Sequence, residues 1–196
     1  SLHWLGEWDR AESAFLKSLE LETDALAYMN LGTLYYYQHR FAEAIEMHEQ
    51  AVLAASSDHR TWGKLAAAQR YVEGYEVASI DSYSKAIELV QEQLAVNPDE
   101  PDDLALLGVY LANTKDLAGA RVAIDSALQL APTNPSAHYF AAILEMNSGN
   151  HEKALSQLEN ATNLGYSFRL IAADPELEPL SRHSGFSALL GTTEDD

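Results

Sequence analysis

Apolar positions recur along this chain at spacings of three and four, between short polar turns. Leu104, Leu107 and Leu111, with Val109 between them, precede "NTKD"; Ala120, Ile124, Ala127 and Leu128 follow it. Such spacing lines one face of a helix, whereas a half-buried strand would alternate at every second residue. The breaks agree with helices. Asp24 and Asp58 stand before the runs that carry Tyr28 and Trp62, and Asn134 precedes Pro135. Asp and Asn cap helix N-termini, and Pro suits the first helical turn. Pro98 and Pro101 punctuate "VNPDEP", and Gly149 separates two helical runs in "MNSGNHEKAL". The pattern predicts paired helices joined by short turns.

The pairs repeat. Gly32 and Ala66 are 34 residues apart, as are Gly108 and Ala142, Ala120 and Ala154, and Ala127 and Ala161. A fixed period of this size marks a stacked array, whose units cannot bury an apolar face alone. Residues 25–58 carry Tyr28, Leu31, Gly32 and Tyr35 on a first helix, then Ala44, His48 and Ala51 on a second. Residues 101–134 align through Leu104, Leu107, Gly108, Ala120, Ala127 and Pro132, and residues 135–168 through His138, Ala141, Ala142, Gly149, Ala154, Leu158 and Ala161. This resembles the W-x2-L-G-x2-Y, A-x3-F and P pattern of tetratricopeptide repeats. Residues 59–100, with Trp62, Leu65, Ala66, Tyr83 and Ala86, form a longer unit; residues 1–24 supply only a second helix, with Trp8, Ala11, Phe15 and Ser18. His48 and Ile124 stand where the pattern has a large aromatic residue, and Ser56 where it has Pro, which implies altered local packing.

The resemblance implies an all-α, right-handed superhelical solenoid of antiparallel helix pairs with a helical C-terminal cap. Its parts are a partial repeat at 1–24, repeats at 25–58, 59–100, 101–134 and 135–166, and a capping segment with an acidic tail at 167–196. The third part is 42 residues long, and its excess extends the second helix through "SKAIELVQEQLAV". Seven extra residues turn a helix by only about 20°, so the same face still points inward. "SLHWLGEW" reads as the tail of a first helix, so sequence is expected upstream. The terminal stretch "GYSFRLIAADPELEPLSRHSGFSALL" is not a repeat, yet it carries Phe168, Leu170, Ile171, Leu177, Leu180, Phe186, Leu189 and Leu190 for packing. "TTEDD" reads as a frayed end. The C-terminal stretch is similar to the last segment of bacterial arrays that follow winged-helix, kinase or cyclase domains. A place in a larger regulator is expected from that likeness.

Charge and composition narrow the function. Thirty acidic residues against twelve basic ones give a formal charge of -18. Nucleic acid is excluded as a partner, because its phosphates must be neutralised by Lys and Arg. An anionic membrane surface is disfavoured for the same reason. No apolar run reaches the roughly 18 residues of a membrane span. The absence of cysteine removes thiol chemistry and fits either redox compartment. The cytoplasm is favoured; an extracytoplasmic place would follow from an upstream transmembrane helix.

Catalytic patterns are missing. His48 and His151 each open an H-E pair but lack the second His of H-E-x-x-H, so no metal or other cofactor is expected. "SGFSALLG" lacks the closing Gly of G-x-S-x-G, and no strand precedes it. There is no Gly-rich phosphate loop. The expectation is a non-enzyme that binds a protein or peptide partner.

First helices of such arrays line the concave groove. The register places Met29, Asn30, Thr33, Tyr36 and Tyr37 there from one repeat, and Arg60, Lys64, Ala67, Arg70 and Tyr71 from the next. Val109 and Asn113, then Tyr139, Ile143 and Met146, continue the lining. Tyrosine joins apolar area to a polar tip, as binding surfaces favour. Arg60, Lys64 and Arg70 gather three of the twelve basic residues and could receive a carboxylate. Asn30, Arg60 and Lys64 also resemble part of the set with which tetratricopeptide co-chaperones grip a peptide's terminal carboxylates. An oligomerisation scaffold, with a homodimer, and a ligand-sensing accessory domain are the alternative roles.

Overall fold

A computed structural model describes residues 2–21 and 24–191, with side chains described over 7–20 and 24–191. Among the described residues the chain is all-α. α1 runs Leu2–Leu21, α2 Ala25–Tyr37, α3 Phe41–Ala54, α4 His59–Gln69, α5 Glu76–Val96, α6 Pro101–Asn113, α7 Leu117–Leu130, α8 Pro135–Asn147 and α9 His151–Asn163. A short α10 at Phe168–Ala173, a 3-10 helix at Pro175–Leu180 and α11 at Ser184–Gly191 follow. The chain forms two compact units, residues 1–89 and 90–196, divided within α5.

Capping sets where the helices begin. The Asp24 carboxylate accepts from the Leu26 N–H at 3.2 Å, and Asp58 from the Arg60 N–H at 2.9 Å. Asp116 and Asn134 cap α7 and α8 in the same way, and Pro101 and Pro135 occupy first turns. Each cap satisfies an amide that the helix itself leaves unpaired. Between paired helices the chain turns through a left-handed residue: His39 (φ 60°), Lys115 (φ 71°) and Gly149 (φ 74°). Glycine fits that conformation without strain; His and Lys do not.

In unit 1, Leu31, Leu34 and Tyr35 of α2 pack with Ala44, Ile45 and Val52 of α3 and with Leu65 and Ala68 of α4. Gly32 permits close approach: a Cβ there would stand 2.7 Å from the His48 ring. His48 is buried and fills the space beside this glycine. Ser79 donates to the Ala66 carbonyl and Ser82 to Gln69 Oε1, both at 2.9 Å, tying α5 to α4. α5 has 21 residues, against 14 in α3 and 14 in α7.

Unit 2 has an alanine-rich interface of Ala105, Ala112, Ala120, Ala127, Ala137 and Ala141 around Ile124 and Leu144. A Cβ on Gly108 would lie 2.6 Å from Ile124 Cγ1. Arg121 of α7 pairs with the buried Glu145 of α8, which also accepts from Asn150 at 2.8 Å. Burial pushes the Glu145 carboxyl up, but the hydrogen bonds from Arg121 and Asn150 outweigh it and hold the group below the usual carboxylate range.

One expectation is corrected. "SLHWLGEW" is not the end of a separate helix, because α1 is continuous from Leu2 to Leu21. The stretch holds no proline, and Gly6 inside a helix costs only about 1 kcal/mol relative to alanine. "TTEDD" lies outside the described residues.

Candidate functional site

The first-helix face of unit 1 is built from rings. Tyr36 of α2 sits at the centre, with Tyr37 at 5.5 Å, Phe41 at 5.9 Å and Tyr71 at 5.9 Å between ring centroids, all edge-to-face. Phe41 stacks on Tyr71 at 4.6 Å, and Trp8 of α1 meets Tyr37 at 6.4 Å. Such pairs add about 0.5–1.5 kcal/mol each beyond area burial. The sequence brings them together through position. Tyr37 ends α2 and Phe41 begins α3, while Tyr71 follows α4, so one end of the helix stack gathers the rings. Tyr36 is buried as the hub, whereas Trp8, Tyr37, Phe41 and Tyr71 are half-buried and keep exposed edges. The exposed Arg70 places its guanidinium 5.7 Å from the Tyr71 ring centroid. His39, exposed and left-handed, lies 5.5 Å from Phe41.

Beside the rings lies an ion network that is already satisfied. Arg40 meets Glu12 of α1 at 3.1 Å and hydrogen-bonds Glu43 of α3 at 2.7 Å, with its guanidinium 4.0 Å from the Tyr35 ring centroid. Tyr35 donates to Glu12 at 2.9 Å. Burial and the Glu12 carboxylate push the Tyr35 hydroxyl up, and hydrogen bonds to Glu43 and Glu12 hold Arg40 charged. This network clamps three helices together.

The expected basic residues are placed as follows. Arg60 is exposed, but its guanidinium folds onto Asp58, at 2.7 Å from Oδ2 and 2.9 Å from Oδ1. Burial raises the Asp58 carboxyl, yet hydrogen bonds from Arg60 hold it below its ordinary range. Lys64 is half-buried, near enough to His48 to disfavour its protonation. Asn30 is exposed on α2. Tyr37, Arg70 and Tyr71 therefore meet as partly exposed groups, whereas Tyr36 and Met29, expected in the groove, are buried in the core, and Arg60 is bound to its own helix cap.

Unit 2 departs from expectation at Tyr139. Expected on an open face, it is buried, and so is Ile143. Residues 168–190 cover them: Ile171, Leu177, Leu180, Phe186 and Leu189 pack with Tyr139, Ala142, Ile143, Leu155 and Leu158, with Met146 at the edge. Tyr139 donates to the buried Asp174 and stacks on Tyr166 at 4.5 Å. Asn113 is half-buried; its Nδ2 donates to the Val109 carbonyl at 3.0 Å, and its buried Oδ1 has no hydrogen-bond partner.

Sequence reasoning missed Phe41, Arg40 and Asp174. Phe41 opens α3 and so fell outside a register of first helices. Arg40 joins elements that are distant in sequence. Asp174 had a signal, since Asp before Pro reads as an N-cap, and its carboxylate does accept from the Glu176 N–H at 2.8 Å. Among the described residues, no group of three or more His, Asp or Glu could hold a metal, and no helix is long and apolar enough to cross a membrane.

Comparison with known proteins agrees with the helix pairs. Family models described as tetratricopeptide repeat match residues 25–54 and 71–135. Protein FlbA of Caulobacter vibrioides is 36% identical over 78 residues, which is 40% of this chain and 13% of FlbA. BBSome complex member BBS4 of Bos taurus is 25% identical over 165 residues, 83% of this chain and 30% of BBS4. The chain thus spans less than a third of either curated relative. Among solved structures, TTC0263 of Thermus thermophilus, a thermophilic protein of the same repeat type, superposes with a TM-score of 0.59 at 21% identity, over 88% of this chain and 93% of that one.

Proposed function

Because the chain belongs to the tetratricopeptide-repeat family, whose all-α helical solenoids are protein-interaction modules, we propose that it binds a protein or peptide partner through the ring-lined face of α2 and α4. The observation that carries this is the meeting of Tyr37, Phe41 and Tyr71 as half-exposed rings, with Arg70 beside Tyr71. Rings on a rigid support supply contact area at little entropic cost, and Arg and Tyr are enriched among residues that dominate binding energy. Asn30 and Lys64 extend this face with polar groups. The role is non-catalytic: rings, amides and cations here grip rather than react. A place within a larger multidomain regulator, and no nucleic-acid or membrane contact by this segment, belong to the same proposal; Asn113 of unit 2 is proposed as a contact of that unit alone.

A carboxylate grip by Asn30, Arg60 and Lys64 is a weaker form of it, since Arg60 must first leave Asp58. Selection of peptides from a random library on the purified chain tests the main reading. Selected peptides should lose at least about tenfold in affinity on Tyr37→Ala plus Tyr71→Ala. Unchanged affinity would refute it. Acid and amide forms of the same peptides then report on the carboxylate grip. A second reading, a scaffold within an assembly, is favoured by the bovine relative's being a BBSome complex member; a dimer in light scattering, with no selected peptide, would support it.

A further inference from the structure

Residues 168–190 return after the last repeat and pack on α8 and α9. They follow the last repeat through Leu164–Ser167, where Gly165 is left-handed (φ 97°) and open space surrounds its Cβ position. The segment is divided into pieces of six, six and eight residues. Pieces this short have little helical stability of their own. What holds them is side-chain anchoring. Ile171, Leu177 and Leu180 are buried against α8 and α9, and Asp174 accepts from Tyr139. Gly185 sits so close to α9 that a Cβ there would lie 2.9 Å from Leu155 Cδ1. The covered residues, Tyr139, Ile143 and Met146, lie on a first helix of the array, as Tyr36 and Tyr37 do in unit 1.

We infer that the α8 face of unit 2 is a peptide-receiving site, filled in cis by residues 168–191, and that a partner peptide bearing Asp-Pro-x-Leu-x-x-Leu can take the segment's place. The pattern is the one that Asp174, Pro175, Leu177 and Leu180 present to the site. The carboxylate sets the register through Tyr139, and the two leucines fill the apolar seat. The linker keeps the tethered segment at an effective concentration of about millimolar, so an untethered peptide of equal quality loses to it. Exchange requires a stronger incoming peptide or a weakened tethered one. This site is separate from the ring-lined face of unit 1.

The test uses the full chain and a fluorescent synthetic peptide of residues 166–191. Asp174→Ala in the chain weakens the tethered copy, while the peptide keeps its Asp. Loss of one charge-assisted hydrogen bond from the competitor should tighten apparent peptide binding by about 10- to 100-fold relative to the unaltered chain. The same peptide carrying Asp174→Ala should lose that advantage. Equal binding to both chains, or equal binding of both peptides to the Asp174→Ala chain, overturns the inference. If the variant chain does not fold, hydrogen exchange of the unaltered chain decides: amides of 168–191 should open while α8 and α9 stay protected, and exchange in step with α9 overturns it. Tyr37→Ala plus Tyr71→Ala should leave this binding unchanged, which separates its failure from failure of the unit 1 face.

Discussion

Tyr71 in unit 1 and Tyr139 in unit 2 were both expected on the open face of first helices, yet one keeps an exposed edge and the other is sealed. Around Tyr71 the neighbours are rings from the same end of the stack, and they stay half-exposed around the buried Tyr36. Around Tyr139 the chain returns after α9 and lays Asp174, Ile171, Leu177, Leu180, Phe186 and Leu189 on the face. The helix ends differ in kind as well. α2 ends on Tyr37, whereas α6 and α8 end on Asn113 and Asn147. Similar backbone geometry therefore supports two uses. The unit 1 face keeps ring edges exposed; the unit 2 face, with Tyr139 stacked on Tyr166, is covered by the chain itself. Repeat proteins need a closing element because a terminal unit cannot bury its own apolar surface, and here residues 168–190 supply it.

The largest expected effect comes from breaking the covered side. Leu180→Ala removes a fully buried side chain and should destabilise by about 2–5 kcal/mol. Tyr71→Ala, at a half-exposed ring, should lower stability by clearly less. Urea unfolding of the two variants checks the difference; equal losses would mean that the two faces are packed alike. Next come the close approaches inside the helix pairs. Gly108→Ala forces a methyl against Ile124, which cannot swing away from a buried site, and should destabilise by about 1–3 kcal/mol. A second change, Ile124→Val, should restore part of the loss, and failure to do so would place the strain elsewhere.

Acid separates the units differently. Burial, then the charge of Lys64, pushes His48 down to about 3, so it is neutral in the folded chain. Its ordinary value in the unfolded chain is about 6.5. Between those values the unfolded state binds a proton that the folded state does not, so stability falls as pH drops from about 6.5 toward 3. At pH 5 the loss is about 2 kcal/mol, above the range in which the pairs of Glu43, Asp58 and Glu145 begin to protonate. His48→Phe should flatten the stability curve between pH 6.5 and 5. A curve of unchanged slope would contradict this assignment.

The smallest effect lies in the turns. His39→Gly and Lys115→Gly should each stabilise by up to about 1 kcal/mol, because the left-handed conformation suits glycine. Gly149→Ala should destabilise by a similar amount. Thermal unfolding reads all three, and stabilisation by Gly149→Ala would argue against strain at these positions.

The helix pairs were legible because their signals are local. Asp24, Asp58, Asn134 and Pro135 cap helices as their types demand, and Gly32 and Gly108 mark close contacts within one pair. The repeat register put Tyr36, Tyr37, Arg70 and Tyr71 on one face, and the rings do meet, but it did not show that Tyr36 is buried as their hub. What escaped it depends on parts outside that register. Phe41 joins the rings from the start of a second helix. Arg40 links Glu12 to Glu43 over three helices. Tyr139 was misplaced because register says which way a residue points but not what later chain covers it. Apolar residues at 168–190 announced packing, but not the face on which they would pack.

Hydroxyl-radical footprinting of the tyrosines, in the free chain and with a selected peptide bound, tests the contrast between the faces most directly. Tyr37 and Tyr71 should oxidise readily in the free chain and become protected when the peptide binds, while Tyr139 stays protected throughout. Oxidation of Tyr139 at the rate of Tyr37 in the free chain, or bound peptide that leaves Tyr37 and Tyr71 fully reactive, would contradict an open, partner-binding face in unit 1 and a self-covered one in unit 2.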